Sequence, residues 1–129
     1  MSITRTTAAG GVAAGLPFSL AGDAGGVCLI SGMPALESDG TLAAGTFLEE
    51  TERAWRNVAS IAEAAGYSVE EIVYVQCVLA DISDYSALNG WWRRQFPEVS
   101  NAPARFTYQA GALPFGAKIE LQAVAARDS

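Results

Sequence analysis

The sequence predicts an α+β fold, a mixed β-sheet of about six strands with two helices packed on one face. Three observations predict it. Val27 to Met33 and Ile72 to Ile82 are apolar runs rich in β-branched residues, as strands are. Phe47 to Ala65 repeats its apolar residues near the helical period. The elements then follow as strands, helix, strand, helix and a pair of strands, an order that layers helices on one side of a sheet.

The elements can be justified in turn. The Ala/Gly-rich stretch from Ala8 to Gly15 is a loop, and Phe18-Ser19-Leu20 opens a strand that ends near Gly22. Gly25-Gly26 turns into the strand Val27 to Met33, which reads as buried. Pro34 to Gly45 is a loop. In the helix Phe47 to Ala65, Thr46 is the N-cap, Glu49 completes a capping box and Gly66 is the stop. Ile72 to Ile82 is a strand buried on both faces or nearly so. Ser83 or Asp84 caps a second helix that runs to about Phe96 and ends at Pro97. Arg105 to Leu113 and Ala117 to Ala126 are strands, and the turn Leu113-Pro114-Phe115-Gly116 makes them a hairpin.

A chain of 129 residues suits one domain, residues 1–129. Half of it is hydrophobic and only 17% is charged, and the missing polar surface points to a buried subunit interface. The formal charge is −6, from 14 acids and 8 bases, and no basic run occurs beyond Arg93-Arg94. That balance argues against nucleic acid and against an anionic membrane. Cys28 and Cys77 are far apart in apolar runs and read as inert core thiols of a reducing compartment. The start of the chain lacks the continuous apolar core of a signal peptide, so a cytoplasmic location is expected. No apolar stretch approaches the ~20 residues of a membrane span. The chain contains no histidine. A histidine base or triad is therefore excluded, and a metal centre is not expected.

Several motifs now become recognisable together. Ala102-Pro103-Ala104-Arg105-Phe106-Thr107, Leu113-Pro114-Phe115-Gly116-Ala117 and Ile119-Glu120-Leu121 resemble the C-terminal signature of the RidA (YjgF) family. Pro17-Phe18-Ser19, Ile30-Ser31-Gly32, Glu63-Ala64-Ala65-Gly66, Leu79-Ala80-Asp81-Ile82 and Asn89 fit the same family, in order, over roughly Pro17 to Ala126. The resemblance implies a chorismate-mutase-like subunit of a homotrimer, with active sites between subunits. It implies hydrolysis of reactive 2-imino and enamine acids to 2-oxo acids and ammonia, without a cofactor.

Two residues lead the candidate site. The planar fork of Arg105 suits a substrate carboxylate, and the family binds substrate at this place. The plainer alternative is a structural ion-pair arginine. Glu120 lies in a strongly apolar strand, where alternation places it with Lys118, Gln122 and Val124. A half-buried carboxylate there has a raised pKa and can exchange protons with water. The family's glutamate at this place positions the attacking water; the alternative is a solvated residue paired with Lys118.

Further candidates are Ser31 and Gly32, where backbone can approach a ligand, and Asn89, which either bonds substrate or holds the second helix. Phe18 stands where the family commonly has tyrosine, and Thr107 where it often has a small polar residue or cysteine. Phe106 and Phe115 replace polar or basic residues, Leu20 a glutamine and Gln122 a second glutamate. Together with Trp91-Trp92 they allow a larger or more apolar substrate, or simply pack at a subunit interface.

The expected hairpin has a consequence. Pairing Ala112 with Ala117 makes Gln109 face Glu120 and Arg105 face Val124. Arg105 and Glu120 would then share a sheet face, four rungs or about 13 Å apart. That gap suggests that a site takes Arg105 from one chain and Glu120 from another. Rival functions are a pathway-specific catalyst on the same cleft and a non-catalytic trimer binding small carboxylates. RNA cleavage, attached to relatives, suits neither the charge nor the lack of histidine.

Overall fold

A computed structural model of the chain describes residues 2–128. Its strands are β1 (Ile3–Thr6), β2 (Ala21–Ala24), β3 (Val27–Met33), β4 (Ile72–Leu79), β5 (Ala104–Gln109) and β6 (Ile119–Ala126); its helices are α1 (Phe47–Ala64) and α2 (Tyr85–Gln95). They form one six-stranded sheet in the order β1-β2-β3-β6-β4-β5. Only β4 and β5 run parallel, and α2 is the crossover between them.

Local chemistry sets the boundaries. Gly25 and Gly26 both take positive φ (60° and 82°), the conformation of a tight hairpin turn, and join β2 to β3. Thr46 caps α1 through the expected box: its hydroxyl accepts from the Glu49 amide, and the Glu49 carboxylate accepts from the Thr46 amide. The helix stops at Gly66 (φ 90°) in a Schellman turn, with the Gly66 and Tyr67 amides on the Glu63 and Ala62 carbonyls.

Alternation along the strands builds the core. On β6, Ile119, Leu121, Ala123 and Ala125 are buried, whereas Glu120, Val124 and Ala126 are half-buried and Gln122 is exposed. The buried set packs with Val75, Cys77 and Leu79 of β4 and with Ala54, Trp55, Val58 and Ile61 of α1. The other sheet face carries Leu29, Tyr74, Val78, Val124, Phe106 and Tyr108, with Leu29 and Phe106 more than half exposed.

Several expectations are corrected. β5 and β6 do not form a hairpin; β4 lies between them. The physical reason is α2, because a strand returning after a crossover helix pairs in parallel with the strand it left. β6 then enters antiparallel between β3 and β4. β4 is buried on one face and half-exposed on the other, since the helices cover a single side. It ends at Leu79, and Ile82–Asp84 form a 3-10 turn. Asp81 caps that turn, accepting from the Ser83 amide, and Asp84 stands at the N-cap of α2 as expected, though its side chain makes no capping bond. The expected strand from Phe18 begins instead at Ala21, and β1 is an additional edge strand.

Candidate active site

The register separates the two leading residues. Arg105 pairs with Val75, and Val75 with Ala123, so these three share the helix-covered face. Glu120 pairs with Val78, three residues before Ala123, and points to the opposite, open face. The expectation of a shared face is therefore corrected: it rested on the hairpin, and the true neighbour of both strands is β4. Two strands and three rungs apart, on opposite faces, the side chains cannot meet within one chain.

Arg105 belongs to a first half-site. Its guanidinium donates to the Asn89 side-chain oxygen at 2.7 Å. Its Cζ lies 5.0 Å from the Trp92 ring and 5.5 Å from the Tyr85 ring. Tyr85, Asn89 and Trp92 follow one another at i, i+4 and i+7 on α2, which places all three on one stripe. Ion pairs among the described residues are Lys118 with Glu50 and Arg127 with Glu71; Arg105 has no acidic partner.

Thr107 lies two residues on along β5, opposite Cys77. Its hydroxyl oxygen is buried without a hydrogen-bond partner, a costly state that a ligand or water would relieve. Burial pushes the Cys77 thiol up to about 12, and the nearby Arg105 charge pulls it down by less. Cys77 thus stays a protonated thiol, and burial likewise raises Cys28.

Glu120 belongs to a second half-site. Between Ile30 and Met33 the pairing of β3 with β6 slips, so that Ser31 and Gly32 bulge beside β6. The Glu120 carboxylate lies over Gly32. A Cβ at Gly32 would overlap Glu120 Oε2 and approach its Cδ to 3.3 Å, so glycine makes room for the acid. Loss of water raises the Glu120 pKa above the ordinary carboxylate value. Lys118, expected beside Glu120, reaches α1 instead: its Nζ donates to the Gly45 carbonyl and to Glu50. Ser31 donates its hydroxyl to the Ser19 carbonyl at 2.7 Å and its amide to Leu20. Those bonds tie the loop carrying Phe18 to the bulge. The Phe18 ring is half exposed and lines a cavity of about 360 Å³ with Leu16, Pro17 and Ala13.

The candidates therefore gather as Arg105, Asn89 and Thr107 on one side, and Glu120, Gly32, Ser31 and the Phe18 loop on the other. Sequence reading overlooked Tyr85 and Trp92 as neighbours of Arg105, although their helical spacing around Asn89 carried the signal. Trp91-Trp92, read together as allowing a more apolar substrate or packing at an interface, part company: Trp91 turns into the core edge-on to Trp55 and donates to Glu52. Among the described residues, no group of three or more Cys, Asp or Glu could hold a metal ion, and no helix is long and apolar enough to cross a membrane.

The family model described as Endoribonuclease L-PSP matches residues 10–127. A human protein named 2-iminobutanoate/2-iminopropanoate deaminase is 40% identical over 97 residues, 74% of this chain and 69% of the human one. Protein mmf2, mitochondrial, of Schizosaccharomyces pombe is 36% identical over 115 residues, 87% of this chain and 89% of that one. The crystal structure of the YjgF gene product of E. coli superposes with a TM-score of 0.83 at 30% identity, covering 96% of this chain and 99% of the other.

Proposed function

The chain belongs to the Endoribonuclease L-PSP (YjgF/RidA) family, and from that premise we propose that it hydrolyses reactive 2-imino and enamine acids to 2-oxo acids and ammonia. The observation that carries this reading is a half-buried guanidinium that the fold orients but does not neutralise, in a chain with 14 acids to choose from. Such a group binds a carboxylate through paired N–H donors. The names of the human relative and its mammalian counterparts support the same activity.

In this mechanism Arg105 holds the substrate carboxylate, with Asn89 fixing its fork and Thr107 offering a hydroxyl from the next position on that face. Glu120, destabilised as an anion by its dry setting, positions a water against C2 of the imine. It takes one proton from that water as the C–O bond forms and passes it to the imine nitrogen, then takes the second from the new hydroxyl and passes it to the nitrogen as the C=O forms and the C–N bond breaks. Water enters, ammonia and the 2-oxo acid leave, and no cofactor is required. Ser31, Gly32 and the Phe18 ring shape the wall beside Glu120.

Arg105 and Glu120 meet only if two chains contribute, so the proposal includes a homotrimer with sites between subunits. The chain acts as a single domain, in a reducing compartment that suits its two free buried thiols, with the cytoplasm the first expectation. A pathway-specific substrate, larger and more apolar, is the second reading; the exposed rings of Phe18, Phe106 and Phe115 favour it.

The test generates 2-iminobutyrate or 2-aminoacrylate enzymatically and follows ammonia. The protein should accelerate release, and Arg105→Ala should lower the acceleration by about a hundredfold or more, as loss of a charged anchor does. Mixed trimers of Arg105→Ala and Glu120→Ala chains should regain part of the activity. Unchanged ammonia kinetics with several imino acids would remove the general assignment.

A further inference from the structure

We infer that Tyr85 and Trp92 are positioning residues that clamp the Arg105 guanidinium between aromatic rings, holding it without an acid so that its charge stays available to an anionic ligand. The inference rests on the proposed role of Arg105 as the carboxylate anchor. It extends that role to two residues outside the motifs that carried it.

An arginine away from bulk water is usually fixed by a carboxylate, which satisfies its donors and cancels its charge. Arg127, although exposed, shows the same pairing: it lies 4.1 Å above the Tyr67 ring, and its guanidinium also bonds both oxygens of Glu71. Arg105 uses the rings and omits the acid. Its neighbours are the faces of Trp92 and Tyr85 and the neutral amide oxygen of Asn89. Ring faces attract the cation through their quadrupoles yet accept no N–H bond in the guanidinium plane. With one donor committed to Asn89, the remaining edge is free for a ligand.

The Trp92 ring is itself anchored. Trp92 packs on Phe96 at 4.7 Å between centroids, and Phe96 meets the core tryptophan Trp55 edge-on. The clamp is therefore an outgrowth of the α2–core contact, which gives it a fixed position relative to β5.

The test reads both the clamp and its consequence. In ¹⁵N NMR of the ligand-free protein, the Arg105 Nε–H signal, assigned through its loss in Arg105→Lys, should be shifted by the rings and exchange slowly. Trp92→Leu should move it to the position of solvent-exposed arginines. Calorimetry with 2-oxobutyrate should show binding weakened about tenfold in Trp92→Leu and largely restored in Trp92→Tyr. The KM for imine should rise with little change in kcat, which a general loss of folding would not produce. Asn89→Asp supplies the missing acid at nearly unchanged size and should weaken binding more than Asn89→Ala does. Wild-type affinity in Trp92→Leu, or Asn89→Asp binding as well as Asn89→Ala, overturns the inference. If the wild type binds no 2-oxobutyrate, the functional reading falls, and the NMR shift alone decides whether the clamp exists.

Discussion

Glu120 shows what a single residue reveals at the two levels. A carboxylate inside Ile119-Glu120-Leu121 is conspicuous in sequence, because alternation leaves it flanked by core residues. Its half-buried setting was legible for that reason. What sits against it was legible only in part: Gly32 inside the run Val27 to Met33 signals a bulge or a close approach, but only the pairing of β3 with β6 shows that the acid is what it meets. The raised pKa has a definite sign. Between the unfolded carboxylate pKa and the higher folded one, the native state binds more protons than the unfolded state, so stability falls as pH rises through that window. Glu120→Gln removes this penalty. Its melting temperature should match the wild type near pH 4 and exceed it at pH 7.5, while imine hydrolysis is lost. Equal melting curves at both pH values would show that the acid is not held against its will.

At the level of elements, periodicity and capping chemistry made α1 and its ends readable, since Thr46, Glu49 and Gly66 act within a few residues of one another. Strand pairing is decided by partners far apart in sequence. The hairpin expectation weighed the turn residues Leu113 to Gly116 and overlooked the stronger constraint, a helix between two strands. The entry of β6 is likewise fixed from a distance. Glu50 of α1 is fully buried, and its carboxylate accepts from the Lys118 amide at 2.9 Å and from Nζ at 3.3 Å. The pair is unequal, because Lys118 keeps 45% of its side chain exposed and Glu50 none. Removing the lysine strands a buried charge, whereas Glu50→Gln keeps the bond to the amide. Lys118→Met should therefore cost about 2 kcal/mol in urea unfolding, and Glu50→Gln distinctly less. The reverse order would mean that the carboxylate is better hydrated than its burial indicates.

For the whole molecule, the composition already carried the main signal, more apolar surface than an isolated chain of this size should show. The fold locates that surface on the uncovered sheet face. Leu29 (56% exposed), Phe106 (54%) and Tyr108 (39%) lie there with Val124 and Tyr74; Tyr108 shares the rung of Val78 and Glu120, whereas Leu29 lies on the rung of Val124 and Tyr74, away from the acid. Hydrophobic burial is the main drive for association, and these half-wet side chains each forgo on the order of 1 kcal/mol of favourable transfer while they stay exposed. The same face bears one of the two halves of the proposed site, so assembly and catalysis should depend on it together. Leu29→Arg places a charge amid these residues on the rung of Val124 and Tyr74, away from both half-sites. Sedimentation should then report a single-chain mass where the wild type reports three. Imine hydrolysis should fall in proportion to the dissociated fraction and return as protein concentration rises. A dissociated variant that keeps full activity would separate the two properties and place the whole reaction within one chain, which the opposite faces of Arg105 and Glu120 forbid.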